Sequence, residues 1–140
     1  MSRSARLSRL LDLRRRQEET SRQHLATSLR HAAKLSDEVR NRTEALEAAL
    51  SGQPSASRRR HLDAVAQIAE PAIFAARAAE LSARSAAEEL RRDWQRAARR
   101  LKGLERLQET RAEQERELAD RNARLELEDL VTSRHKKDPR

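Results

Sequence analysis

Apolar and small residues recur at alternating spacings of four and three along the first third of the chain, without an intervening proline or glycine. Such spacing is typical of a helix with a narrow coiled-coil seam, the stripe that faces a partner helix. The predicted seam positions are Leu7, Leu11, Arg14, Glu18, Ser21, Leu25, Ser28, Ala32, Leu35, Val39, Arg42, Leu46 and Ala49. The pattern therefore predicts one helix over about residues 4–50.

A turn is predicted at about residues 51–57, where the periodic pattern stops. Gly52 suits the left-handed conformation that caps a helix, Pro54 cannot continue a helix, and Ser55 or Ser57 can cap the next one. A second helical pattern follows over about residues 58–134, and we expect residues 135–140 to form a disordered tail. Pro71 lies inside this helix and is expected to kink it, because its ring removes a backbone hydrogen bond.

The second helix has a seam of its own, which ends near Leu104. It comprises Leu62, Ala66, Ala69, Ile73, Ala76, Glu80, Ala83, Ala87, Leu90, Trp94, Ala97, Leu101 and Leu104. Two helices joined by so short a turn must run antiparallel. Folding the chain at Pro54 pairs Leu7 with Leu104, Leu11 with Leu101, Leu25 with Ala87, Leu35 with Ala76, Val39 with Ile73, and Leu46 with Ala66, and Leu90 joins the same packing. The sequence thus predicts an all-α fold, one antiparallel coiled-coil hairpin domain over residues 1–140.

The same register places Trp94 beside Arg14 and Glu18, where its ring covers their aliphatic stems and its indole can donate to Glu18. Beyond Leu104 the seam turns polar at Gln108 and Arg111, where the first helix has ended. We therefore predict that the longer second helix overhangs from about Gln108, held by local pairs such as Glu117 with Arg121. The overhang carries Leu118, Leu125, Leu127 and Leu130, which have no partner within the hairpin and are candidates for contact with another protein.

Composition argues against an enzyme or a metal protein. Charged residues make up 39% and aromatic residues 1% of the chain, so there is little material for a compact core around an active site. Cysteine is absent, no glycine-rich phosphate loop occurs, and the carboxylates are spread along helical faces. His24 and His31 are seven residues apart, too far to chelate one ion. We expect no catalytic activity, no metal and no cofactor. Lacking an apolar run of about 18 residues, the protein is expected to be soluble and cytoplasmic.

Charge points instead to an acidic partner. The formal net charge is +8, and residues 1–61 carry 14 Lys and Arg against 7 Asp and Glu. Clusters at Arg14–Arg16, Arg58–Arg60 and His135–Lys137 are candidate contacts. A nucleic-acid-binding hairpin is one alternative, although the chain has almost no aromatic residues to stack on bases and no recognised motif. Another is a four-helix bundle of two hairpins joined through Ala75, Ala79 and Ala86.

Both ends of the chain resemble a known family. Near the N-terminus these residues are Arg6-Leu-Ser-Arg-Leu-Leu-Asp-Leu-Arg14, then Glu18, Glu19 and Leu25-Ala26; further on they are Trp94-Gln-Arg, the segment from Leu101 to Glu109, Arg111, and the segment from Arg124 to Asp129. These motifs resemble FliJ, the flagellar type III export protein, and its virulence counterpart YscO. Leu130 after Asp129 is more similar to the virulence branch, whereas Leu104-Glu-Arg-Leu-Gln-Glu109 is more similar to the flagellar branch, which we favour.

The resemblance implies a non-enzymatic stalk of the hexameric export ATPase, located in the cytoplasm and peripheral to the inner membrane through its complex. The end carrying both termini, Arg3 to Arg16 with Gln108 to Lys137, would enter the ATPase pore. Implied ATPase contacts are Arg6, Arg9, Arg14, Leu118, Arg121, Leu125, Arg134, Lys136 and Lys137. Implied contacts with the export gate are Val65, Ala69, Ala72 and Ala76. Export chaperones are further implied partners, and no specific nucleic acid is expected.

Overall fold

A computed structural model describes residues 2–52 and 55–137. These residues form two helices, α1 (Arg3–Leu50) and α2 (Ala56–Lys137), which pack against each other, and none of them lies in a strand. The predicted all-α fold of two long helices is confirmed. Contacts divide the chain into a hinge unit, residues 16–98, and a terminal unit, residues 1–15 with 99–140.

The turn of the hinge unit begins as its sequence predicts. Gly52 has a φ of 119°, a left-handed conformation that residues with a side chain rarely adopt. Ser55 caps α2, because its hydroxyl accepts a hydrogen bond from the Arg58 backbone N–H at 3.3 Å. The helix therefore begins at Ala56, two residues before the predicted start. Pro54 lies outside the described residues.

The core of the hinge unit is a thin seam of leucine, isoleucine and alanine side chains from both helices. Its buried residues are Leu25, Ala32, Ile73, Ala83 and Ala87. The predicted packing residues Leu35, Val39, Leu46, Leu90 and Trp94 are half-buried. Small residues let the helices approach closely, so one row of side chains suffices to exclude water. Helix α2 continues through Pro71, whose ring is exposed.

The terminal unit contains Leu11, the most buried large side chain described, at 1% exposure. Leu7, Leu101 and Leu104, the other predicted seam leucines of this unit, are half-buried. The Ser2 hydroxyl accepts a hydrogen bond from the Ala5 backbone N–H at 3.2 Å and so caps α1, which begins at Arg3. This cap fixes how far the first helix reaches along the second.

The boundaries of the overhang differ from the prediction at both ends. Arg3, Ser4 and Leu7 of α1 line a groove together with Gln108, Arg111, Ala112 and Glu115, and Ala112 is the last half-buried residue in the described part of α2. Every residue over 113–136 is exposed, and the overhang is therefore residues 113–137 rather than a segment starting at Gln108. Helix α2 also includes residues 135–137, which were predicted to be a disordered tail. Since the nearest helix-breaking residue is Pro139, nothing ends the helix at Arg134. Residues 138–140 lie outside the described residues.

Candidate protein-interaction surfaces

A hydrogen-bonded cluster around Glu18 fixes the register of the hinge unit. The Trp94 indole Nε1 donates to Glu18 Oε1 at 3.0 Å, as the predicted pairing requires, and Arg22 Nη2 donates to Glu18 Oε2 at 2.7 Å. Glu18 is only 12% exposed. The hydrogen bond from Arg22, followed by that from Trp94, holds the pKa of Glu18 below its usual value of 4.5. The carboxylate therefore stays ionised within the seam. A change in the register of the two helices would remove the hydrogen bond that the Trp94 indole donates to it.

The overhang is a single helix with its apolar side chains exposed to solvent. Leu118, Leu125, Leu127, Leu130 and Val131 are 57–67% exposed. Leu118 and Leu125 are seven residues apart and continue the seam that includes Leu104. The predicted ATPase contacts Leu118, Arg121, Leu125, Arg134 and Lys136 are all exposed here. The side chain of Lys137 lies outside the described residues.

An open groove lies at the paired end of the terminal unit, and we call it the basic groove. It is lined by Arg3, Arg6, Leu7, Leu10, Leu104, Leu107 and Arg111. Two of its leucines remain partly exposed, Leu10 at 38% and Leu107 at 44%. Among the predicted ATPase contacts, Arg6 lines this groove, Arg9 is exposed, and Arg14 is half-buried and already interacts within the chain. An apolar floor between arginines is suited to an acidic, amphipathic helix.

The four predicted gate-contact residues do not lie on an exposed surface. Val65, Ala69, Ala72 and Ala76 are half-buried. The first three line an apolar pocket with Arg42, Ala45, Leu46 and Ile73. They therefore pack towards α1, because Ala69 and Ala76 are α2 seam positions and Val65 and Ala72 lie next to the seam. The prediction placed the gate contact on the packed side of α2.

The opposite side of α2 carries an apolar surface that the sequence analysis missed. Ile68 and Phe74 are each 77% exposed and Leu81 is 66% exposed. With Pro71 and Ala78 they lie within about 140° around the helix axis, at about 100° per residue. We call this surface the outer face. Only four charged residues occur between Ala64 and Ala86, in a chain that is 39% charged, and that local lack of charge is the feature that could have revealed it.

The arginine cluster at the start of α2 remains exposed. Arg58, Arg59 and Arg60 form no ion pair within the described chain, and the Arg58 guanidinium lies beside Gly52.

None of the helices in the described part of the chain has the length and apolarity to cross a membrane. Within the same residues, no three His, Asp or Glu side chains are placed to hold a metal ion.

A family model described as "Flagellar FliJ protein" matches residues 2–140. The chain belongs to the FliJ family. No curated protein and no solved structure matches it at a significant level. The family assignment confirms the resemblance of the two terminal segments and makes the chain a component of flagellar or type III protein export. FliJ proteins are non-catalytic members of that apparatus, so the exposed helical surfaces are where its interactions must be sought.

Proposed function

We propose that this FliJ protein is the central stalk of the hexameric export ATPase, promoting assembly and activity of the hexamer. The observation that carries the proposal is the overhang, whose 113–136 side chains are all exposed, including its leucines. Exposed leucines at seam positions on a charged helix are suited to a partner that surrounds the helix. The ring pore of a hexamer is such a partner.

The charges of the overhang favour weak and repeated contacts over one tight contact. None of its acidic residues forms an ion pair within the described chain, so they are available to a surrounding ring. Solvent-exposed ion pairs each contribute about 0–1 kcal/mol. A stalk that makes many such contacts can change its orientation in the pore, whereas one tight contact would hold it against a single subunit.

The first prediction concerns ATPase stimulation. Adding the full chain to the purified export ATPase should increase hexamer formation and ATP hydrolysis, measured by sedimentation and phosphate release. Deleting residues 113–140 should abolish both effects, and Leu118→Ser with Leu125→Ser should reduce them. Ile68→Ser with Leu81→Ser is the matched control, since those residues are similarly exposed but lie in the hinge unit. No stimulation by the full chain, or equal stimulation by the truncated chain, would contradict the stalk proposal.

We further infer that the outer face binds the export gate protein. Through that protein the chain would associate with the periphery of the inner membrane. It replaces the predicted residues Val65, Ala69, Ala72 and Ala76, which are half-buried against α1. Phe74 is the only phenylalanine of the chain and is largely exposed. Large exposed apolar side chains are the usual anchors of protein interfaces. Export chaperones are a further proposed partner of the hinge unit.

The second prediction tests this outer face. Phe74→Glu should weaken binding of the cytoplasmic part of the export gate protein by about tenfold or more, because an interface anchor contributes about 2 kcal/mol. Isothermal titration calorimetry measures the affinity, and circular dichroism checks that helix content is unchanged. Leu127→Glu is the control, because Leu127 is 61% exposed on the overhang. If both variants bind the gate protein as tightly as the unmodified chain does, the gate contact lies elsewhere.

A further inference from the structure

Opposite charges are segregated within the terminal unit. Residues 3–15 contain five arginines and one aspartate, and residues 99–111 contain five Lys and Arg against two glutamates. By contrast, residues 113–130 of the overhang contain seven Asp and Glu against three arginines. The paired end is thus strongly basic, and the helix that extends beyond it is acidic.

These opposite charges are not neutralised inside one chain. No ion pair joins the residues of segment 113–130 to each other or to the rest of the described chain, and the predicted Glu117–Arg121 pair does not form. An exposed pair of that kind contributes too little to hold two long side chains in one geometry. In the basic groove, Arg3, Arg6 and Arg111 likewise have no ion-pair partner within the described residues.

The overhang cannot fold back onto the basic groove of its own chain. From Leu104 to Lys137 the sequence has neither proline nor glycine, and α2 is one continuous helix over these residues. Reversing its direction would break several turns of backbone hydrogen bonds. Glu115, at the base of the overhang, lines a groove with Arg3 and Arg111 of its own chain, but the acidic segment from Glu117 onward can meet the basic groove only between two copies.

We propose that two copies of this chain associate reciprocally, with the acidic overhang of each lying in the basic groove of the other. Leu118 and Leu125, flanked by Glu115 and Asp129, would pack on the leucines of that groove. The acidic helix is long enough for this, since its 18 residues span about 27 Å and the 13 residues from Arg3 to Arg15 span about 20 Å. A twofold axis near Ala112 places both contacts in one symmetric interface.

This association does not depend on the stalk proposal, because neither surface needs the ATPase as its partner. If both hold, the two states exclude each other, since the dimer covers Leu118 and Leu125. The dimer would then be a stored form, and entry of the overhang into a ring would require its dissociation. The oligomeric state of the purified full chain tests this proposal without the ATPase.

The third prediction is a salt-sensitive dimer. Sedimentation equilibrium should detect dimers of the full chain at 0.05 M salt, and at 0.5 M salt the dissociation constant should rise at least about tenfold, because salt screens the opposing charges. The variant Arg3→Glu, Arg6→Glu, Arg9→Glu and the variant Glu115→Arg, Asp120→Arg, Asp129→Arg should each lose self-association. Glu44→Arg, Glu47→Arg, Asp63→Arg is the matched control in the hinge unit and should dimerise like the unmodified chain.

The decisive experiment mixes the two charge-reversal variants. Each variant has lost complementarity with itself. In the mixed pair, residues 3–15 of the first variant, with a net charge changed from +4 to −2, face the overhang of the second, with a net charge over residues 113–130 changed from −4 to +2. The unchanged basic groove of the second variant faces the unchanged acidic overhang of the first. Heterodimers should therefore form with an affinity within about threefold of the unmodified dimer. Circular dichroism checks that both variants keep their helix content, as is expected because the changed residues are exposed. A monomer at every concentration and salt, a dimer that survives either reversal, or a mixture without heterodimers would overturn the proposal.

Discussion

Replacing Leu11 with alanine should lower the free energy of unfolding by about 2–5 kcal/mol, the cost of removing a buried leucine from a core that cannot collapse around the gap. Leu11 is 1% exposed, and the other predicted seam leucines of the terminal unit, Leu7, Leu101 and Leu104, are half-buried. Because the seam is one row of side chains wide, no second layer can fill the cavity. Urea unfolding followed by circular dichroism at 222 nm measures the change.

Leu10 provides the control for this prediction. It is the preceding residue, with the same side chain and the same helix, but it lines the basic groove at 38% exposure. Leu10→Ala should therefore cost about 1 kcal/mol or less. Similar losses for the two variants would mean that the terminal unit is not stabilised by a buried seam. The same comparison tests whether Leu10 is free to serve a partner, since an interface residue can be replaced without unfolding the monomer.

The fold was predictable because the seam has few alternatives. Leucine facing alanine along two helices joined by a short turn allows one antiparallel register, and the Trp94 hydrogen bond to Glu18 forms in that register. The starting point of the overhang was less predictable. It depends on the Ser2 cap, which starts α1 early enough for Arg3 and Ser4 to reach Ala112. The presence of a serine near a terminus is not sufficient to predict that it caps a helix.

The candidate surfaces were predictable only where a side chain has no neighbouring helix. Leu118 and Leu125 were identified because the partner helix ends before them, and both are exposed. The gate contact was predicted on the packed side of α2, because alanines occur both on that side, as at Ala69, and on the outer face, as at Ala78. Residue type alone therefore does not distinguish the two sides of an alanine-rich helix. Only the structure shows that Phe74 is exposed.

Replacing Trp94 with phenylalanine should lower the free energy of unfolding by about 1–3 kcal/mol, because Glu18 then loses a donor within the seam. A double-mutant cycle with Glu18→Gln measures what the carboxylate charge adds to this contact, since the amide oxygen that replaces it can still accept from an indole, and should give a coupling of about 1 kcal/mol. Glu80→Gln is the matched control: Glu80 is 13% exposed and pairs with Arg84 four residues on, as Glu18 pairs with Arg22, but no indole donates to it. Equal effects of the two Glu→Gln changes would mean that the arginine pairs, and not Trp94, determine the stability of the cluster.

The pH dependence provides an independent test of the same cluster. Because the folded state holds the pKa of Glu18 below 4.5, the carboxylate contributes stability that is fully present above that pH and is lost as the pH falls through the folded value. The difference in unfolding free energy between the unmodified chain and Glu18→Gln should therefore shrink on acidification below pH 4.5. Trp94→Phe should keep most of this dependence, since the Arg22 hydrogen bond is the larger cause of the lowered pKa. Parallel stability curves for the unmodified chain and Glu18→Gln from pH 7 to pH 3 would show that Glu18 titrates in the folded chain as it does in the unfolded one.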